Sequence, residues 1–173
     1  MQKVIFLDID GVLNSHEWYE LYHNSRYDKC LNSDGTMLYD RDIDYRSVLL
    51  LNEIYKKVPN VGIVITSTWR FDMEDTVSRL KNQGLLIPVI GSTEKNNSAG
   101  IYGTCPRGLQ IKKWIDDTIY ATNDPLMNYV IFDDDTDMLY DQRDNFIHTN
   151  YEIGLTKDDV EKAISILRPY NAN

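Results

Sequence analysis

The chain has 173 residues, 42% of them hydrophobic and 26% charged, with a net charge of −9. That length suits one domain with a core of its own, and no run approaches the roughly 18 apolar residues that a membrane helix needs, so no membrane partner is expected. The acidic balance argues against broad binding along a nucleic-acid backbone, which needs Lys/Arg stripes, but a local site can oppose the global charge and take a nucleotide or a nucleic-acid end.

Residues 3–7 read as a first buried strand, with an apolar run over 4–7. The run is cut at once by Asp8 and Asp10, so it does not read as a leader segment, and a cytoplasmic protein is expected. Residues 14–44 are polar and Tyr-rich without clear periodicity, and they read as an insertion over a site, since about 30 residues cannot easily bury a core. Residues 45–58 predict a helix with Val48, Leu51, Tyr55 and Val58 on one face and Pro59 just beyond. A second strand follows at Val61–Ile65, then a helix over 72–83 with Gly84 as its C-terminal cap.

Residues 85–90 predict a short third strand ended by Gly91, with an Asn-, Ser- and Gly-rich loop over 92–103. A helix over 108–120 carries Ile111, Ile115 and Ile119 on one stripe. Strands at 129–132 and 146–149 come next, and Thr156 caps a last helix with Val160, Ala163, Ile164 and Leu167 at i, i+3, i+4 and i+7. Short apolar runs alternating with helical patterns are the signature of an α/β domain, here a single one with a mostly parallel five-stranded sheet. Cys30 and Cys105 lie far apart, fit no metal-ligand spacing and read as reduced thiols.

Three strands run into polar clusters: Asp8 and Asp10 after the first, Thr66, Ser67 and Thr68 after the second, and Asp133, Asp134, Asp135 and Asp137 after the fourth. In open parallel sheets ligands bind beyond the carboxyl ends of the strands, so the three clusters are expected at one sheet edge. Asp8 and Asp10 form a pair in which one carboxylate attacks phosphorus and the other delivers a proton to the leaving oxygen, with Gly11 letting the chain turn sharply. Thr66 suits a phosphoryl oxygen, and which of Thr66, Ser67 and Thr68 points inward stays open. The acids after the fourth strand repel one another unless a divalent cation sits among them. A protein cation is also expected, from Arg107, Lys112 or Lys113.

These residues resemble a known family. Residues 4–13, VIFLDIDGVL, look like the first motif of the haloacid dehalogenase-like (HAD) superfamily, hhhhDxDGxx, and 63–66 resemble its second, a strand ending in Thr or Ser. Residues 129–137, YVIFDDDTD, are similar to its fourth motif, with Asp133 and Asp134 fitting the DD form and Asp133 and Asp137 the DxxxD form. Arg107-Gly108 looks like the turn that opens the helix of the third motif, which favours Arg107 over Lys112 as its cation. The resemblance covers essentially the whole chain and implies a Rossmann-like three-layer sandwich and a hydrolase. The second Asp implies phosphoryl transfer, with Asp8 forming an aspartyl-phosphate and Asp10 serving as acid and then base.

The resemblance also implies Mg2+ held by the Asp8 carboxylate, the Asp10 backbone carbonyl and Asp133, with Asp134 or Asp137 in support. Gly11, Ser67, Arg70 and Lys112 are the expected substrate-binding residues. The run Ser67-Thr68-Trp69-Arg70 resembles HAD modules of RNA-repair proteins and polynucleotide phosphatases, in which reading Trp69 stacks on a base and Arg70 binds a second phosphate; otherwise Trp69 is core and Arg70 an ion-pair partner. With only short insertions the chain is a nearly capless member, and the expected partner is a phosphorylated nucleotide, nucleic-acid end or metabolite, with no obligate protein partner. A receiver-type phospho-acceptor module is the other class to weigh, but its acceptor would end the third strand, where this chain has Gly91. A non-catalytic binding protein of the same fold is disfavoured by the intact set Asp8, Asp10, Thr66 and Asp133.

Overall fold

The structure, a computed structural model, describes residues 2–24, 40, 42–94, 105–123 and 127–168. Five strands, β1 (Gln2–Leu7), β2 (Val61–Ile65), β3 (Val89–Ser92), β4 (Met127–Asp133) and β5 (Phe146–His148), pair in the order β3-β2-β1-β4-β5. Every pairing is parallel, so the sheet is fully rather than mostly parallel. Residues 4–7 of β1 and all of β2 are buried, as expected for central strands covered on both faces.

Alternation along the strands sorts the core into two layers. Ile5, Leu7, Ile63, Ile65, Val130 and Phe132 pack with residues of α2 (Tyr45–Lys57), α3 (Met73–Asn82) and α5 (Lys157–Leu167). Val4, Phe6, Val64 and Ile131 face the other way, onto Ile111, Trp114 and Ile115 of α4 (Arg107–Thr122). The result is the three-layer α/β sandwich. Fully buried side chains such as Leu51 and Ile54 of α2 each contribute about 1.5–3 kcal/mol to it.

Side-chain caps set the helix starts. Asp44 accepts from Arg46 N at 2.9 Å to open α2, and Thr156 and Asp159 form a reciprocal capping box at α5. Asp72 accepts from Asp75 N to start α3, after a 3-10 turn at Thr68–Asp72.

The third strand differs from expectation. The apolar run at 85–90 does enter the core, with Leu85 and Ile87 buried, but pairing begins only at Val89. Pro88 has no N–H to give the ladder, and its carbonyl instead accepts from Ile63 N at 2.8 Å. The insertion also holds a helix, α1 (His16–Asn24), although it lies in a segment without a clear apolar stripe. It is anchored by the buried Trp18, which meets Tyr45 edge-on and lies under the Arg46 guanidinium. No described helix is long and apolar enough to cross a membrane.

Candidate active site

Parallel register brings the polar clusters together. Leu7 is level with Ile65 on one side and with Phe132 on the other, so the next residue of each strand emerges at the same height. The ladder runs one step further: Asp8 N donates to Phe132 O at 3.0 Å and Thr66 N to Leu7 O at 2.8 Å. Asp8, Thr66 and Asp133 therefore stand side by side at the carboxyl edge, where the chain reverses direction across the sheet. All three are buried, and Asp133 and Thr66 are fully so.

Arg107, the first residue of α4, reaches into this row. Its Nη2 lies 3.7 Å from Asp8 Oδ1 and its Nε 3.5 Å from Asp133 Oδ2. These contacts are ionic and too long for hydrogen bonds, so Asp133 Oδ2 and Arg107 Nη1 are buried without a hydrogen-bond partner among the described residues. Thr66 Oγ1 is in the same condition. The Ser67 hydroxyl is near enough to Asp8 to lower its pKa, yet its geometry falls short of a hydrogen bond. Each buried polar group left unmatched costs about 1–3 kcal/mol, and four around one point mark a place built for an oxygen-rich, charged ligand.

The electrostatics agree. Burial pushes the Asp8 carboxyl up to about 6, against the pull of Arg107. Burial and then repulsion from Asp8 push Asp133 up to about 7, again opposed by Arg107. Asp134 is raised as well, by burial and then by Asp135. One guanidinium does not neutralise this group. Carboxylate oxygens of Asp8, Asp133 and Asp134 all lie within 4.8 Å of one another, an all-oxygen set of the kind hard divalent cations prefer. The donor chemistry, the unmatched Asp133 oxygen and the excess negative charge fit Mg2+.

The loops around the row are held by specific contacts. Gly11 has φ +69°, and a Cβ there would overlap the Asp134 carboxylate, so only glycine lets the first and fourth motifs approach. Thr149, just past β5, donates from its hydroxyl to Gly11 O at 3.2 Å. Asp10 points outward. Its carboxylate accepts from Asn14 Nδ2 at 2.8 Å and from the Trp69 indole N–H at 3.2 Å. The Trp69 ring packs against the core and lies 4.7 Å beneath the Arg79 guanidinium. Arg79 is itself held by Asp40 in a bidentate pair at 2.6 Å and by Asp42 at 2.7 Å. Trp69 is thus neither a plain core residue nor an open base platform, because its polar edge belongs to Asp10.

Several expected site residues sit elsewhere. Asp137 lies outside the three-carboxylate group: its Oδ2 accepts from Arg107 N at 2.7 Å and caps α4, whose preceding residue, Pro106, has no capping side chain. Lys112, a turn along α4, is half-exposed and bonds Asp116 at 2.9 Å, and Lys113 likewise pairs with Asp117 and Glu94. Arg70 is buried beneath the second-motif loop, donating to the carbonyls of Thr66 and Ser67 and to Gln110 Oε1, so its place is under the loop rather than at an open phosphate site. Burial and then Arg107 lower its pKa.

Asn14, Arg79, Asp40 and Asp42 are contributors that the sequence reading did not single out. Only Asn14, four residues beyond Asp10 in the turn of the first motif, carried a local signal. Cys105 is a free thiol, while Cys30 lies outside the described residues.

No curated protein and no solved structure matches the chain. A family model does, over residues 4–160, and that span contains β2 to β5, β1 from Val4 onward and every residue of the Asp8, Thr66, Arg107 and Asp133 row. The model describes the HAD domain in Swiss Army Knife RNA repair proteins, and the chain belongs to that family of HAD-type hydrolases.

Proposed function

We propose that the protein is a magnesium-dependent phosphatase working through an aspartyl-phosphate, on the terminal phosphate of a nucleotide or nucleic-acid end. The observation that carries this reading is the buried row Asp8, Thr66 and Asp133 with Arg107 lying between the two carboxylates. A phosphoryl group has three charged oxygens to match, and the row has unmatched donors in Thr66 Oγ1 and Arg107 Nη1. The family's association with RNA repair proteins supports a substrate with nucleic-acid chemistry.

The steps balance on this chain's own residues. An Asp8 carboxylate oxygen attacks phosphorus, the bond from phosphorus to the leaving oxygen breaks, and the Asp10 carboxyl gives that oxygen its proton. In the second half Asp10 takes a proton from water, the water oxygen bonds to phosphorus, and the Asp8 oxygen leaves as carboxylate. Thr66 and Arg107 hold the phosphoryl oxygens, and Arg107 offsets part of the carboxylate charge. Asn14 and Trp69 fix Asp10 where the leaving oxygen emerges. Mg2+, held by Asp8, Asp133, Asp134 and the Asp10 carbonyl, would supply charge neutralisation at the phosphoryl oxygens.

The test is turnover of a panel of phosphorylated metabolites, mononucleotides and phosphorylated oligonucleotides, with and without Mg2+. With p-nitrophenyl phosphate, whose leaving oxygen needs no proton, the Asp10→Asn variant keeps the nucleophile and lacks the base, so it should trap a phosphorylated chain that hydroxylamine cleaves. A wild-type protein with no turnover on any of them would end the reading, and turnover in Asp8→Asn would end its nucleophile.

A further inference from the structure

A cleft of about 300 Å3 opens beside the Asp10 carboxylate. Asp10, Asn14 and Asp42 supply its polar lining, and Trp18, Tyr19 and Tyr151 its aromatic lining. None of these residues belongs to the row that holds the phosphoryl group. On the reading above, Asp10 hands its proton to the leaving oxygen, so whatever that oxygen belongs to lies in the space that Asp10 borders.

The walls say what that group is. Trp18 is buried and braced, its backbone N–H donating to Ser15 Oγ at 3.1 Å and its ring under Arg46 at 5.2 Å, so that wall is fixed before anything binds. Tyr19 and Tyr151 keep about half of their surface open, 54% and 53%. Tyr151 is further steadied by His16, stacked at 6.1 Å and 24°. Half-exposed aromatic rings take a flat, π-bearing group at low entropic cost. The lining has carboxylates at Asp10 and Asp42 and no basic side chain among the described residues. Asp42 is paired with Arg79 at 2.7 Å and Asp10 accepts from Asn14 and Trp69, yet each carboxylate has more acceptor sites than these contacts fill, so the lining suits a group with N–H or O–H donors rather than a second phosphate. The volume, at the lower end of ligand pockets of about 300–1,000 Å3, holds one such unit and not a chain.

We propose that this cleft is the leaving-group subsite and takes a single nucleoside, its base against Tyr19 and Tyr151 and its donors toward Asp42. The proposal rests on the phosphatase reading and sharpens it: the nucleoside enters alone, as part of a mononucleotide or as the terminal unit of a chain whose next phosphate stays outside.

The experiment compares wild type, Tyr19→Ala, Tyr151→Ala and Tyr19→Phe, each with Mg2+. Glycerol phosphate, which has no ring, is set against a nucleoside monophosphate and an end-phosphorylated oligonucleotide. Losing one stacking ring should lower the kcat/KM ratio of nucleotide over glycerol phosphate by roughly 10-fold, and Tyr19→Phe should restore it. Binding of uncharged adenosine, followed by quenching of intrinsic fluorescence, should weaken in the alanine variants by a similar factor. A mononucleotide turned over as well as the oligonucleotide identifies the free nucleotide as sufficient, and turnover of the oligonucleotide alone identifies a chain end; either agrees with the subsite. An unmoved ratio together with no adenosine binding overturns it while the phosphatase stands. Adenosine binding without turnover of any phosphate overturns the phosphatase and leaves a nucleoside site.

Discussion

Replacing Asp8, the proposed nucleophile, should make the metal-free protein more stable while it removes activity. The Asp8 carboxyl rises from 3.8 to about 6 in the folded chain, chiefly through burial. At about 1.36 kcal/mol per pH unit, holding it ionised at neutral or higher pH costs roughly 3 kcal/mol relative to the unfolded chain. The folded value lies above the unfolded one, so the stability from this group is complete below pH 3.8 and is lost as the pH rises through about 6. Asp8→Asn keeps the shape and escapes this loss, and it also removes the Asp8 charge that helps push Asp133 up to about 7. The pull of Arg107, 3.7 Å away, is already contained in the value of about 6. For a domain of this size about 1 kcal/mol moves the melting temperature by roughly 2–4 °C. With chelator present, Asp8→Asn should therefore melt roughly 5–10 °C above wild type near pH 8, and the gap should close toward pH 4. Differential scanning fluorimetry across that range, beside a phosphatase assay with Mg2+, reads both effects. A variant that melts at or below wild type near pH 8 would refute the electrostatic reasoning.

Millimolar Mg2+ should raise the wild-type melting temperature, by about 2.7 kcal/mol of stabilisation at 100 times the dissociation constant, and chelation should abolish turnover; a melting temperature that ignores Mg2+ would remove the Asp8, Asp133 and Asp134 metal site. Trp69→Phe keeps the ring under Arg79 and deletes only the N–H on Asp10, so turnover of alkyl phosphates, whose leaving oxygen needs a proton, should fall by about 10-fold while p-nitrophenyl phosphate is spared. Equal losses on both substrates would refute that positioning role. Gly11→Ala meets both a φ of +69° and the Asp134 carboxylate, whereas Gly84→Ala meets a φ of +89° with nothing within 4 Å. Thermal melts should show about 1–2 kcal/mol lost at Gly84 and clearly more at Gly11, with turnover lost only at Gly11.

The sequence by itself determined the strands that carry chemistry. Runs at 4–7, 61–65 and 129–132 are apolar to their last residue and then turn acidic or hydroxylated, and that abrupt change marks a buried parallel strand ending at a site. Local chemistry also placed the α5 cap at Thr156 and the turn at Gly11, because caps and turns are settled within a few residues. The third strand was legible as core but not as ladder, since apolar character does not reveal where Pro88 lets pairing begin. Among the acids after β4, composition treats Asp134 and Asp137 alike. Only the packing of α4 against that loop takes Asp137 for a cap and leaves Asp134 beside Asp8. The bond between Trp69 and Asp10 spans 59 positions and that between Arg79 and Asp40 spans 39. Such partners are chosen by strand register and by where loops return over the sheet edge. Periodicity and caps act over a turn or two of chain, and so the tertiary structure alone decided which side chains face Asp10 and which rings line the cleft beside it.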